Sequence, residues 1–182
     1  VIVLMILGFL AEGPMHGYEL RRRMGQLHGH ARTISDGTIY PAITRLLGAG
    51  ALTETREPGA GATTRRVLHL TDTGRDRLHV LLRDAGGHDI TDGSRFFIVL
   101  AFLSLLPSAQ ERDAVLRRRL AFLEQPASFF YDGDHPLRAS EVTDPYRRGI
   151  LISARATRTA EMNWLHDQLD HPAHAGTTRT ES

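Results

Sequence analysis

Residues 35–70 read SDGTIYPAITRLLGAGALTETREPGAGATTRRVLHL, and this stretch decides the fold. Ile39, Ile43, Leu46 and Leu47 fall at i, i+4, i+7 and i+8, the spacing of one buried helix face. Thr38, Thr44 and Arg45 are left on other faces. Ser35, Asp36 and Thr38 all offer helix caps. Pro41 costs a backbone hydrogen bond if Ser35 is the cap and is harmless in the first turn if Thr38 is. Gly48 and Gly50 close the helix. Residues 51–56 and 65–70 then alternate in the manner of strands around the Pro/Gly/Ala/Thr loop of 57–64, which predicts a hairpin.

Thr71-Asp72 caps a further helix, with Leu78, Leu81 and Leu82 on its buried side. Upstream, residues 1–12 are apolar almost all round, as in a helix covered on several sides, and Gly13-Pro14 stops it. Residues 15–28 predict a second helix that buries Met15, Tyr18, Leu20 and Met24 and exposes Arg21, Arg22 and Arg23. The order helix, helix, helix, hairpin, helix is that of a winged helix-turn-helix over residues 1–85.

Downstream, the Gly-rich residues 86–93 read as a joint. Residues 94–106 have no polar face, so the helix they predict must be covered by its own chain or a partner. Pro107 ends it, and Ser108-Ala109-Gln110-Glu111 is a capping box opening a helix to about residue 125. Residues 126–145 hold Pro126, Pro136 and Pro145 and read as a loop. A long helix follows to residue 170, with Leu151, Ala154, Met162, Leu165 and Leu169 on one stripe, and the polar residues 171–182 read as a disordered tail. The fold class is therefore mainly α with a small β-hairpin: an N-terminal winged unit, then a helical domain over 94–170.

Composition narrows the chemistry. All 22 basic residues of the 182 are arginines, against 21 acidic residues, for a net charge of +1. With no lysine there is no Schiff base and no phosphate-loop lysine. With no cysteine there is no disulfide, thiolate zinc site or thiol nucleophile. Residues 1–83 carry a net +4 and residues 84–182 a net −3, the split expected of a nucleic-acid-binding unit beside an interaction unit. No segment has the apolar length of a membrane span, and residues 1–11 lack a basic leader and cleavage site. The first residue is not Met, which leaves the completeness of the N-terminus open. Catalytic motifs are missing too: Gly59-Ala60-Gly61 lacks the strand-loop-helix setting of a phosphate loop, and Asp132 and Asp134 sit in a Gly/Pro loop. The pairs His28/His30 and His171/His174 have no third ligand at useful spacing, so neither catalysis nor a metal nor a cofactor is expected.

In a helix-turn-helix the second helix enters the major groove and its side chains meet base edges. The candidate DNA-binding residues are Ser35, Thr38, Tyr40, Thr44 and Arg45 on that helix and Arg56, Arg65 and Arg66 at the wing. Arg45 is able to pair with guanine or phosphate, and the wing arginines with phosphates. Tyr40 either donates to a phosphate or packs inward.

The residues LGFL at 7–10, PMHGYEL at 14–20, SDGTIYPAI at 35–43, Arg45-Leu46 and VLHLT at 67–71, with Gly74 and Leu78, resemble the PadR family of transcriptional regulators. The apolar helix, the Ser-capped helix and Trp164-Leu165 look like the larger subgroup typified by the phenolic-acid repressor. The resemblance implies a cytoplasmic homodimer, held by the C-terminal helices with the N-terminal one. It implies a repressor of a near-palindromic operator, released by a small, often aromatic, effector. Aromatic walls and a carboxylate-holding arginine suggest His16, Tyr18, Phe96, Phe97, Arg155, Arg158 and Trp164 for that effector. The run Arg117-Arg118-Arg119 reads as a solvated helix face. The rival reading is a winged-helix dimer that binds a ligand or protein without an operator. Replacing Arg45, Arg65 and Arg66 by Ala separates the two.

Overall fold

The computed structural model describes residues 1–27, 36–58 and 64–170. It is mostly helical with a small antiparallel sheet, and the chain divides into two compact units, Val1–Val115 and a second beginning at Leu116.

In the first unit, helix α1 (Ile2–Glu12) buries Leu4, Met5, Ile6, Leu7 and Leu10. Helices α2 (Gly17–Leu27), α3 (Asp36–Gly48), α4 (Asp72–Arg83) and α6 (Gly93–Phe102) all pack on it. Apolar side chains on nearly every face let one helix serve as the hub. Gly8 makes room for α6: a Cβ there would stand 2.5 Å from the Phe102 ring. Phe9 meets the same ring edge-on at 5.0 Å between centroids.

The hairpin is β2 (Leu52–Pro58) and β3 (Thr64–Leu70), in a register that places Leu52 opposite Leu70 and Arg56 opposite Arg66. A third strand joins it. Met15–His16 forms β1, which pairs antiparallel with β3 through Met15–Leu68 and His16–Val67. The second helix therefore starts at Gly17, not at residue 15, because Pro14 and Met15 carry the chain into the sheet before it turns. Met15 is buried from its strand position, whereas Tyr18, expected to be covered, is 72% exposed.

Helix α3 buries Ile39, Ala42, Ile43 and Leu46 and keeps Pro41 inside it. Its end is a left-handed glycine cap: Gly50, at φ +67°, donates to the Leu47 carbonyl and Ala51 to that of Leu46. Thr71 fastens the next helix to this corner. Its hydroxyl donates to the Gly50 carbonyl at 2.7 Å and accepts from the Gly74 N–H at 3.1 Å.

Residues 86–93, the expected joint, hold the one-turn helix α5 (His88–Thr91), and Asp92 caps α6 by accepting from the Arg95 N–H. Helix α6 buries Phe96, Ile98, Val99 and Phe102 but leaves Phe97 more than half exposed, and it ends in a 3-10 turn over Leu103–Leu105. The boundary between the units falls inside α7 (Ala109–Leu123), whose start is capped by Ser108 accepting from the Glu111 N–H.

The second unit contains the end of α7, a small hairpin of β4 (Tyr131–Asp132) with β5 (His135–Pro136), and α8 (Pro145–Asp170). The segment read as loop thus carries a hairpin, closed by Gly133 at φ +57°. Arg119 is not solvated. It is 4% exposed and bonds both carboxylate oxygens of Glu161 at 2.7 and 2.9 Å, joining α7 to α8. Arg158 donates to the carbonyls of Leu123 and Gln125 at the end of α7, a site where cationic hydrogen bonding is favourable. No helix of the described residues is long and apolar enough to cross a membrane.

Candidate nucleic-acid interface

The periodicity that buries Ile39, Ala42, Ile43 and Leu46 leaves the opposite face of α3 in solvent. Thr38, Tyr40, Pro41, Thr44 and Arg45 are all exposed there. The Thr44 hydroxyl donates to the Tyr40 carbonyl and Arg45 Nε to that of Pro41, bonds that steady both side chains on the helix. The terminal nitrogens of Arg45 have no partner among the described residues, so its donor fork stays available. Ser35 lies outside the described residues, as do His28, His30, His171 and His174.

At the wing, Arg56, Arg65 and Arg66 are exposed. Strand register sets Arg56 directly across from Arg66, a like-charge pair that costs stability unless an anion lies nearby. Glu54 partly offsets it, with a carboxylate oxygen 3.6 Å from Arg66. Arg56 and Arg65 have no partner among the described residues.

Helix and wing meet along a groove of about 660 Å³ lined by His16 on β1, Tyr18 and Glu19 at the start of α2, Tyr40 and Thr44 on α3, and Arg65 and Arg66 on β3. Ile43, Leu47 and Leu68 form its apolar floor, and Glu54 stands on its β2 side. Gly17 brings the backbone close to Tyr40, since a Cβ at residue 17 would lie 3.7 Å from the ring. Glu19 is held by Arg22, which bonds both its oxygens, and by Arg23 at 2.9 Å. These hydrogen bonds pull its carboxyl down to about 2, so it stays ionised.

The groove gathers Tyr40, Thr44, Arg65 and Arg66 from the DNA-binding set and His16 and Tyr18 from the effector set. Sequence reading missed Glu19 and Glu54 in this groove, and only the pairing of residues 15–16 with the wing, invisible to helical periodicity, would have signalled it. The rest of the effector set lies elsewhere. Phe96 is fully buried in the core of the first unit and Phe97 stands on its surface. Arg155, Arg158 and Trp164 belong to α8 of the second unit. Arg155 is exposed, Arg158 is bound to carbonyls and Trp164 is 39% exposed. No group of three or more His, Asp or Glu among the described residues is placed to hold a metal ion.

Residues 6–80 match the model of the transcriptional regulator PadR-like family. Among solved structures, TA0346 from Thermoplasma acidophilum is 30% identical over 44% of this chain and 75% of its own, with a TM-score of 0.41. A transcriptional regulator from Clostridium thermocellum is 25% identical over 42% of this chain and 73% of its own, at 0.38. Bacillus subtilis PadR, solved with operator DNA, is 22% identical over 93% of this chain and 98% of its own, at 0.46. No curated protein matches the sequence. The matched segment carries the helix-turn-helix, its wing and the groove between them, so residues 6–80 form a domain similar to those of the transcriptional regulator PadR-like family.

Proposed function

We propose that this protein binds double-stranded DNA sequence-specifically, with α3 in the major groove and the wing arginines on flanking phosphates, and that it acts as a homodimeric repressor. The observation that carries this is the two-sidedness of α3. One face is sealed into the core, and the other presents Thr38, Tyr40, Thr44 and Arg45 beside exposed Arg56, Arg65 and Arg66. A rigid helix with polar tips and an adjacent cationic ribbon suits base edges and phosphates at once. In the dimer, two such helices address the halves of a near-palindromic operator, about 34 Å apart. Release by a small aromatic effector completes the reading: a ligand that prefers the dimer with misplaced reading helices shifts it off DNA by its differential affinity.

The test is an anisotropy titration against DNA from immediately upstream of the gene, at two salt concentrations and with random duplex as competitor. Binding that survives competition is expected. Arg45→Ala should weaken the specific complex by about 1–3 kcal/mol, the worth of one good base contact, and leave random duplex little changed. Equal weakening of both makes Arg45 a phosphate contact only. Absence of specific binding here and in a genome-wide DNA selection overturns the reading. The same titration, repeated with aromatic acids, tests release.

A further inference from the structure

We infer that His16 is a proton-linked phosphate contact, so that operator binding takes up a proton at this residue and strengthens as pH falls. The inference rests on the DNA-binding reading above and adds to it a residue and a pH response. Its basis is the histidine's tautomer. His16 Nδ1 lies 3.1 Å from the Arg66 carbonyl oxygen. A carbonyl only accepts, so Nδ1 must carry the hydrogen. In the neutral ring Nε2 is then a bare lone pair, which a phosphate oxygen repels. Protonation turns Nε2 into a charged donor while the bond to Arg66 is kept.

Position supplies the second argument. His16 lines the same groove as Tyr40 and Thr44 on the reading helix and Arg65 and Arg66 on the wing. A phosphate that follows α3 past the wing passes this wall. Strand β1 fixes the backbone by pairing His16 with Val67, and the bond to Arg66 holds the imidazole, so the ring costs little ordering entropy on binding. The charged and titratable groups that line the groove with it are Tyr18 and Glu19 from α2, Tyr40 from α3, Glu54 from β2, and Arg65 and Arg66 from β3. Glu19 is hydrogen-bonded to Arg22 and Arg23, and a Glu54 oxygen lies 3.6 Å from Arg66. His69, two residues along β3 from Val67, has its Nε2 2.8 Å from the Thr55 hydroxyl and serves as the control.

The experiment measures the dissociation constant of the full chain for its operator duplex from about pH 8 to about pH 5.5, the range over which histidine changes charge. Salt is held constant, and the wild type is compared with His16→Asn, His16→Gln and His69→Gln. Asparagine places an amide donor where Nδ1 stood, keeping the bond to Arg66 without a titrating nitrogen, and thermal melting checks that each variant is folded. Wild type and His69→Gln should gain affinity on acidification, by up to about tenfold per pH unit where one proton is taken up. The two His16 variants should lose that slope and match the wild type most closely at high pH. A flat wild-type profile with operator binding intact overturns the inference, as does an unchanged slope in folded His16→Asn. Absence of operator binding at every pH overturns the DNA-binding reading itself.

Discussion

Gly8 shows how one missing methyl sets a domain's packing. In α1 an alanine would be the better helix former by about 1 kcal/mol. The Cβ it adds would sit 2.5–2.7 Å from three atoms of the Phe102 ring, and that ring is itself buried and held edge-on by Phe9. Overpacking of this kind costs roughly 1–3 kcal/mol, which outweighs the helix gain. Gly8→Ala is therefore expected to lower the urea midpoint. Gly25 in α2 provides the converse, since among the described residues a Cβ there meets nothing within 4 Å. Gly25→Ala should raise the midpoint by up to about 1 kcal/mol of stability. Equal responses at the two glycines would refute the assignment of Gly8 to close packing.

Among the elements, the wing concentrates the electrostatics. The Arg56–Arg66 pair is unfavourable in the free protein and becomes favourable over a phosphate. Replacing both with glutamine should stabilise the unbound fold slightly and weaken binding to every duplex. The slope of log affinity against log salt should become shallower by up to about 0.9 for each phosphate that is no longer neutralised. An unchanged slope would remove these two arginines from the interface. The hairpin itself was legible because Pro, Gly and Thr punctuate two alternating runs, and α3 because four apolar residues share one face. Strand β1 was not, for two residues carry no periodicity, and Met15 and Tyr18, three positions apart, also fit a helical stripe. The same limit applies to Arg119. Within Arg117-Arg118-Arg119 nothing marks which arginine turns inward, and the answer lies 42 positions away at Glu161. The groove was half legible: its α3 and wing walls followed from the winged pattern, whereas His16 and Tyr18 reached it only through the pairing of β1.

At the scale of the whole molecule, the uncovered face of α8 bears on assembly. The stripe of Leu151, Ala154, Met162, Leu165 and Leu169 turns toward its own unit, with Leu151 and Leu165 buried. A second series, Tyr146, Ile150, Ser153, Thr157, Ala160 and Trp164, recurs at alternating four- and three-residue intervals and is exposed throughout. That alternation is the spacing of a helix–helix seam, with bulky residues at both ends and small ones that allow close approach between them. In the proposed homodimer this seam meets its counterpart across a two-fold axis, each copy burying the other's Ile150 and Trp164. Charging it with Ile150→Glu and Trp164→Glu should convert a sedimenting species of twice the chain mass into one of single mass. Because both residues lie on the exposed face, helix content should be retained. Affinity for a full palindrome should then fall toward that for a half-site, since the second reading helix is no longer held at high effective concentration. A double mutant that stays dimeric would place the self-association on another surface, and one that is monomeric yet binds the palindrome undiminished would show that operator recognition does not require the pair.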